Sequence, residues 1–201
     1  MNDKPQGGLL FVLSGPSGVG KDTAIERLKV LHFNIYHVIT ATTRKIRPGE
    51  VHGVDYFFHT IDEFTRLRAN NELLEWALVH DNLYGTPRAQ VREELARGND
   101  VLLKIDVQGA RQVKSKVPNA IFLFLAPPSI DELVARLKLR QTESETEQLR
   151  RVQNAYIEME AVDSYDYVVV NHDSRLDDAV HQIGCIIEAE RCRVHRRVVT
   201  V

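Results

Sequence analysis

Cysteine, tryptophan and methionine are scarce in this sequence, with two, one and two copies among 201 residues. Cys185 and Cys192 lie in one helical segment without a neighbouring Cys/His ligand set, which excludes a disulfide scaffold and a structural zinc site and predicts reduced thiols. No apolar run approaches the roughly 20 residues of a membrane span, and Met1 to Gly8 lacks the charged-then-apolar pattern of a secretion signal. A cytoplasmic location away from membranes is the expectation. Charge of one sign is missing too: 26 Lys and Arg against 28 Asp and Glu give a formal −2. That balance argues against nucleic-acid or membrane-surface partners, which need a broad positive field, so any anion site must be local. Internal repeats and low-complexity linkers are absent, and the length suits one core with insertions.

What the chain does have is a glycine-rich turn, Ser14-Gly15-Pro16-Ser17-Gly18-Val19-Gly20-Lys21-Asp22-Thr23. It separates a continuously apolar run, Leu9 to Leu13, from a segment with Ala24, Ile25, Leu28 and Leu31 at helical spacing. Glycines let successive backbone N–H groups point at one oxyanion, the helix N-terminus adds partial positive charge, and Lys21 supplies a full one. The pattern predicts a nucleoside-triphosphate cradle over residues 15–23, with Lys21 as its charged centre.

Four apolar runs, Leu9 to Leu13, Val101 to Ile105, Ala120 to Leu125 and Tyr167 to Val170, alternate with helical patterns, which predicts an α/β core with a parallel sheet covered by helices. Between them the texture turns β-rich at Tyr36 to Thr43, Val54 to Phe58 and Leu73 to Val79, as in a small inserted sheet. Thr60-Ile61-Asp62-Glu63 forms a capping box for a helix over Thr60 to Ala69, and another helix opens at Thr86-Pro87 and closes at Gly98. A polar run, Leu139 to Arg151, carries capping-box spacings at Thr142 and Ser144 and reads as a short arm; in the helix after it Leu149, Val152, Tyr156 and Met159 form the expected packed stripe. The expected divisions are a core of 1–34, 99–138 and 153–201, an insert over 35–98 and a lid over 139–152.

The insert holds Thr43-Arg44 and Arg47-Pro48-Gly49-Glu50 in one short stretch, then Tyr56 and, later, Tyr84-Gly85-Thr86. Two guanidinium forks and two phenols can grip a phosphate, which suits a nucleoside monophosphate; a solvated loop is the competing account of Arg44 and Arg47.

Taken together, Ser14 to Lys21, Ala41-Thr-Thr-Arg44 with Arg47-Pro-Gly-Glu50, Gly53-Val-Asp-Tyr56-Phe, Leu74-Glu75-Trp76-Ala77, Tyr84-Gly-Thr86, Ile105-Asp106-Val107-Gln108-Gly109 and Val170-Asn171 resemble the guanylate kinase family, in order and at its spacing. The resemblance runs from about Leu9 to about Glu190 and implies a P-loop core with a monophosphate-binding insert and a helical lid. It implies transfer of the γ-phosphoryl of ATP, carried with Mg²⁺, to GMP and also dGMP. By the same resemblance Arg44, Arg47, Tyr56 and Tyr84 grip the GMP phosphate, Glu75 and Thr86 read guanine, and Thr43 and Asp106 belong to the acceptor side. Arg140 and Arg151 match the arginines on the donor phosphates, with Arg136 and Asn171 toward adenine; Asn171 is equally readable as a turn residue. Guanine suits Glu75 chemically, because a carboxylate accepts from N1–H and the exocyclic amine together, whereas adenine presents an acceptor there. Thr86 before Pro87 also reads as a helix N-cap.

Two positions depart from the family pattern: Asp22 stands where a P-loop offers a hydroxyl to Mg²⁺, and Lys104 stands where relatives carry an acid before Asp106. Asp22 and Asp106 are candidate metal ligands. Opposite signs predict a charge swap in which Lys104 pairs with Asp22; a snorkelling lysine and a helix-capping aspartate are the competing account. Two other functions stay open on this fold: a ribose 1,5-bisphosphate phosphokinase, and a non-catalytic phosphopeptide-binding module. The basic Arg191 to Val198 segment reads as a solvated tail, with a subunit contact as the alternative, and nothing in the chain signals an oligomeric state.

Overall fold

The computed structural model describes residues 7–31, 33–79, 81–138 and 145–201. In chain order the elements are β1 (Leu10–Ser14), α1 (Lys21–Val30), β2 (Tyr36–His37), β3 (Ala41–Thr42), β4 (Phe57–Phe58), α2 (Ile61–Ala69), β5 (Leu73–Val79), β6 (Asn82–Pro87), α3 (Arg88–Ala96), β7 (Val101–Lys104), α4 (Val107–Lys116), β8 (Ile121–Ala126), α5 (Ile130–Lys138), α6 (Glu145–Met159), β9 (Tyr167–Val170) and α7 (Leu176–Arg191).

A five-stranded parallel sheet, ordered β2-β7-β1-β8-β9, forms the centre. Side-chain alternation splits β1 between two cores: Leu9, Phe11 and Leu13 pack with α1, α5 and α7, while Leu10 and Val12 pack with α3 and α4. Burial on both faces is why the strand reads as unbroken apolar sequence. A second sheet, ordered β4-β3-β6-β5, closes over Phe64 of α2, whose N-terminus carries the predicted capping box at Thr60 and Glu63.

The stretch Tyr36 to Thr43 divides between the sheets: Tyr36–His37 pairs with β7 in the central sheet, and Ala41–Thr42 pairs in the small one. A strand so short carries too little pattern to reveal which sheet will take it. The apolar stripe of α1 stops at Leu28, because Leu31 lies past the helix end and is exposed. On α6, Leu149 and Tyr156 are exposed, and the inward line is Val152, Ala155 and Met159. The small, fully buried Ala155 shifts the buried face by one residue from the one drawn through the bulky side chains. The capping candidates Thr142 and Ser144 lie outside the described residues.

The basic C-terminal segment is not a solvated tail. Asp100, buried before β7, accepts from Leu9 N–H (2.7 Å) and Arg191 Nε (2.6 Å), with Arg196 at 3.5 Å. Arg197 lies 3.4 Å from both Glu190 and Asp166, and Val199 and Val201 pack against the α3–α4 core. Removing one partner of a buried pair strands the other's charge, so Asp100→Ala is expected to lower stability by about 3 kcal/mol. Denaturant unfolding checks this, and a loss under about 1 kcal/mol, the worth of a surface pair, would contradict it.

Candidate active site

The turn after β1 starts α1 at Lys21, and Gly18 and Gly20 hold left-handed backbone there, at φ 83° and 99°. The Lys21 ammonium folds back on the loop and donates to the carbonyls of Gly15 (2.6 Å) and Pro16 (3.1 Å). Burial lowers its pKa, opposed by the carboxylates of Glu158, Asp22 and Asp106 around it. Asn171, buried just past β9, donates its Nδ2 to the Val19 carbonyl (2.8 Å), and Arg136 on α5 donates to the Asn171 carbonyl (2.9 Å) while pairing with Asp173 (2.6 Å). Asn171 therefore braces the loop from behind, which goes beyond the role of a turn residue.

Lys104 at the end of β7 lies in register with Leu13 of β1, so Lys104 and the following Asp106 emerge beside the loop. Asp106 caps α4, its Oδ1 accepting from Gly109 N–H (2.7 Å). Burial pushes its carboxyl up, while the Gly109 N–H and Lys21 pull it down. Lys104 and Asp22 form an ion pair, as the opposite signs of the two departures predict.

Glu75 lies on β5 and is almost fully buried. Thr86, across the strand pair on β6, donates its hydroxyl to Glu75 Oε1 at 2.6 Å. That bond displaces the expected cap: Pro87 takes the N-cap position before α3, and no side chain caps that helix. On the far side Glu75 meets α4 at Gly109, where any Cβ would overlap its carboxylate. Desolvation raises the Glu75 pKa to about 7 against the pull of Thr86, with Asp106 adding like-charge repulsion. Leu73 and Trp76 lie on the Phe64 side, and the bulge between Leu73 and Glu75 turns both Leu74 and Glu75 toward α4, so simple alternation does not place Glu75.

Arg44 is mostly covered, with its side chain 11% exposed, and is not a solvated loop residue. Its guanidinium forks onto Glu50 at 2.6 and 3.0 Å and lies 5.3 Å from the Tyr56 ring centre and 5.6 Å from that of Phe58. Tyr56 and Tyr84 meet edge to face at 6.1 Å. The Arg47 backbone N–H donates to Glu50 Oε2 (2.8 Å), and its side chain is exposed. Thr43 exchanges bonds with Leu83, its N–H donating to the carbonyl (3.0 Å) and its Oγ1 accepting from the N–H (2.9 Å), and so holds the strand that leads to Arg44.

A chain of neighbouring groups joins the loop to the insert residues. Lys21 acts on Asp106, Asp106 caps Gly109 and repels Glu75, and Lys104 reaches from Asp22 to Tyr56. The family model of guanylate kinase matches residues 8–190. The chain belongs to the guanylate kinase family. Its sequence is 49% identical to the guanylate kinase of Caldanaerobacter subterraneus over 98% of this chain and 94% of that one. The guanylate kinase of Oceanobacillus iheyensis is 48% identical over 94% and 91%. The solved guanylate kinase of Anaplasma phagocytophilum superimposes with a TM-score of 0.77 at 33% identity, covering 94% of this chain and 89% of that one. The protein is thus a kinase of the nucleoside monophosphate class, and neither a sugar-bisphosphate kinase nor a phosphopeptide module is favoured.

Of the two arginines expected on the donor phosphates, Arg151 is half-buried on α6, while Arg140 lies outside the described residues. Two participants escaped the sequence reading. Glu158 on α6 accepts from Ser17 N–H at 2.9 Å and so touches the loop. Its one clue was the seven-residue offset from Arg151, two turns along the same helix face. Gln112 on α4 accepts from Trp76 N–H (3.2 Å) and donates to the Trp76 carbonyl (2.6 Å), completing the edge of β5 beside Glu75. Its spacing of three from Gly109 puts both on one face of α4.

Proposed function

We propose that this protein transfers the γ-phosphoryl group of ATP to GMP, and to dGMP, giving ADP and GDP. An oxygen of the acceptor phosphate attacks the γ-phosphorus as its bond to the β-phosphate oxygen breaks, and ADP leaves. The single observation that carries the guanine assignment is the buried Glu75–Thr86 pair, a carboxylate able to accept from two donors beside a hydroxyl. Guanine's N1–H and amine satisfy that carboxylate, whereas adenine sets an acceptor against it. Arg44, Arg47, Tyr56 and Tyr84 hold the acceptor phosphate, with Thr43 and Asp106 at its flanks; Lys21 and residues 15–23 hold the donor phosphates with Arg151 and Arg140. Arg136 and Asn171 stand at the adenine end. In this reading 35–98 form the acceptor insert, 139–152 the lid, and the remainder the core.

Phosphoryl transfer needs alignment and charge balance more than covalent help, so the protein's part is to align the two phosphates and exclude water. Among the described residues no group of three or more His, Cys, Asp or Glu is placed to hold a metal ion, so no all-protein metal cage stands there. That suits Mg²⁺ arriving on the triphosphate, since this ion keeps waters and takes one or two carboxylates. Asp106, at the cap of α4, and Asp22, beside Lys104, are the carboxylates that would take such an ion. Bound there, the ion would neutralise charge on the donor phosphates. Among the described residues no helix is long and apolar enough to cross a membrane; exposed Cys185 and Cys192, both free thiols, support a reducing cytoplasmic setting.

A coupled assay of ADP release with GMP, dGMP, AMP, UMP and ribose bisphosphate tests the reading. The expected result is turnover of the two guanine nucleotides at 10³-fold or more over AMP, on the order that hydrogen-bond readout allows. A preference for AMP or for the sugar bisphosphate would overturn it.

A further inference from the structure

Lys104 is a cation at the junction of the two phosphate grips. β7 delivers it in register with Leu13, the residue before the loop, and its ammonium pairs with Asp22 in the first turn of α1. On its other side lies Tyr56, whose ring centre is 5.7 Å away and which also carries Arg44 at 5.3 Å. Lys104 and Arg44 thus both lie against Tyr56, with Lys104 on the side of the donor loop. The two members of the ion pair differ in setting: the Asp22 side chain is 80% exposed and that of Lys104 is 29% exposed. The ammonium is held by the walls around it, and the carboxylate is open to exchange.

An exposed carboxylate facing a fixed ammonium marks the position where an incoming anion oxygen would compete. Asp22 also follows Lys21 in the first turn of α1, where it would repel a bound donor phosphate unless its charge is balanced. We propose that Lys104 is a further phosphate-binding residue of this enzyme, its ammonium contacting the acceptor phosphate while it stays beside Asp22 and balances that charge, and that Asp22 is its positioning residue. This rests on the reading of the cleft as an ATP:GMP transfer site. The ammonium forms no bond to phosphorus and transfers no proton; it neutralises charge on the oxygens as the two phosphates approach. Asp22 keeps it aimed between Tyr56 and the loop when no nucleotide is bound.

The test is a double-substitution cycle of Lys104→Met and Asp22→Asn, read by GMP and guanosine affinity without ATP or metal and by steady-state turnover. Lys104→Met is expected to weaken GMP binding about tenfold, the worth of one charge-assisted contact, while leaving guanosine binding unchanged. It should lower kcat more, by about 10²-fold, because the unpaired Asp22 carboxylate then faces the phosphates. Adding Asp22→Asn to Lys104→Met should restore at least about tenfold of that loss, the non-additivity of a coupled pair. Equal loss of GMP and guanosine affinity, or additive effects on kcat, would overturn the proposal. Melting temperatures separate these outcomes from unfolding, and Lys104→Arg, which retains the charge, should keep most of the GMP affinity. Wild-type turnover of GMP, measured alongside, tests the underlying reading separately: if it is present while the cycle is additive, only the role of Lys104 falls.

Discussion

Replacing Glu75 by Gln is expected to lower kcat/KM for GMP by about 10²-fold or more while leaving the slow reaction with AMP nearly unchanged. The amide keeps one acceptor but turns an N–H₂ toward guanine's donors, so a buried donor is left without a partner. Thr86 loses its charged acceptor at the same time. Initial rates with both nucleotides check the result, and a loss below threefold would remove Glu75 from guanine recognition. The same carboxyl makes a pH signature. Its pKa in the folded protein is raised to about 7 from 4.5, so between these values the native state holds a proton that the unfolded chain has released. Stability from this group therefore falls as pH rises through that window, by at most about 1.4 kcal/mol per pH unit, and Glu75→Gln should flatten the slope. Guanine binding needs the ionised form and stabilises it. GMP binding near neutral pH should accordingly release protons from the wild type, detectable as a buffer-dependent binding enthalpy, and Glu75→Gln should lose that component. Identical proton release in both would contradict it.

Lys21→Met should reduce kcat by about 10³-fold or more with the fold intact. In the empty protein the ammonium spends its hydrogen bonds on the carbonyls of Gly15 and Pro16, and its burial disfavours the charge. A desolvated cation of this kind is held ready for an anion, and the methionine chain fills similar space without it. The melting temperature should shift by only a few degrees, since the relieved desolvation offsets the lost contacts. Retention of more than about a tenth of wild-type kcat would show that the remaining cations suffice, against the central place given to Lys21.

Much of this was legible from residues alone, for identifiable reasons. The strand-loop-helix of the donor site is local, so glycine spacing and apolar pattern reveal it without knowledge of distant contacts. The Thr60 capping box is equally local and forms as read. Glu75 was harder: its role came from the family resemblance, and its placement depends on a bulge that alternation does not predict. Thr86 read well as a helix cap, and a partner from β5 took its hydroxyl instead. Glu158 and Gln112 act through single side chains reaching across 141 and 36 positions, a relation that no periodicity encodes. The C-terminal arginines looked solvated because their partners, Asp100, Asp166 and Glu190, are neighbours only after the sheet has formed.

The sequence by itself determined the family, the phosphate loop and the kinds of side chain that meet the acceptor, because these depend on residue identity at short spacing. Only the tertiary structure decided that Asp22 and Lys104, 82 positions apart, form an ion pair beside the loop. It also decided that Glu75 is buried against Gly109 and Thr86 with its proton affinity raised. The reason is physical: a charge's behaviour follows from the solvent it has lost and the groups it faces, and both are set by strands and helices arriving from distant parts of the chain.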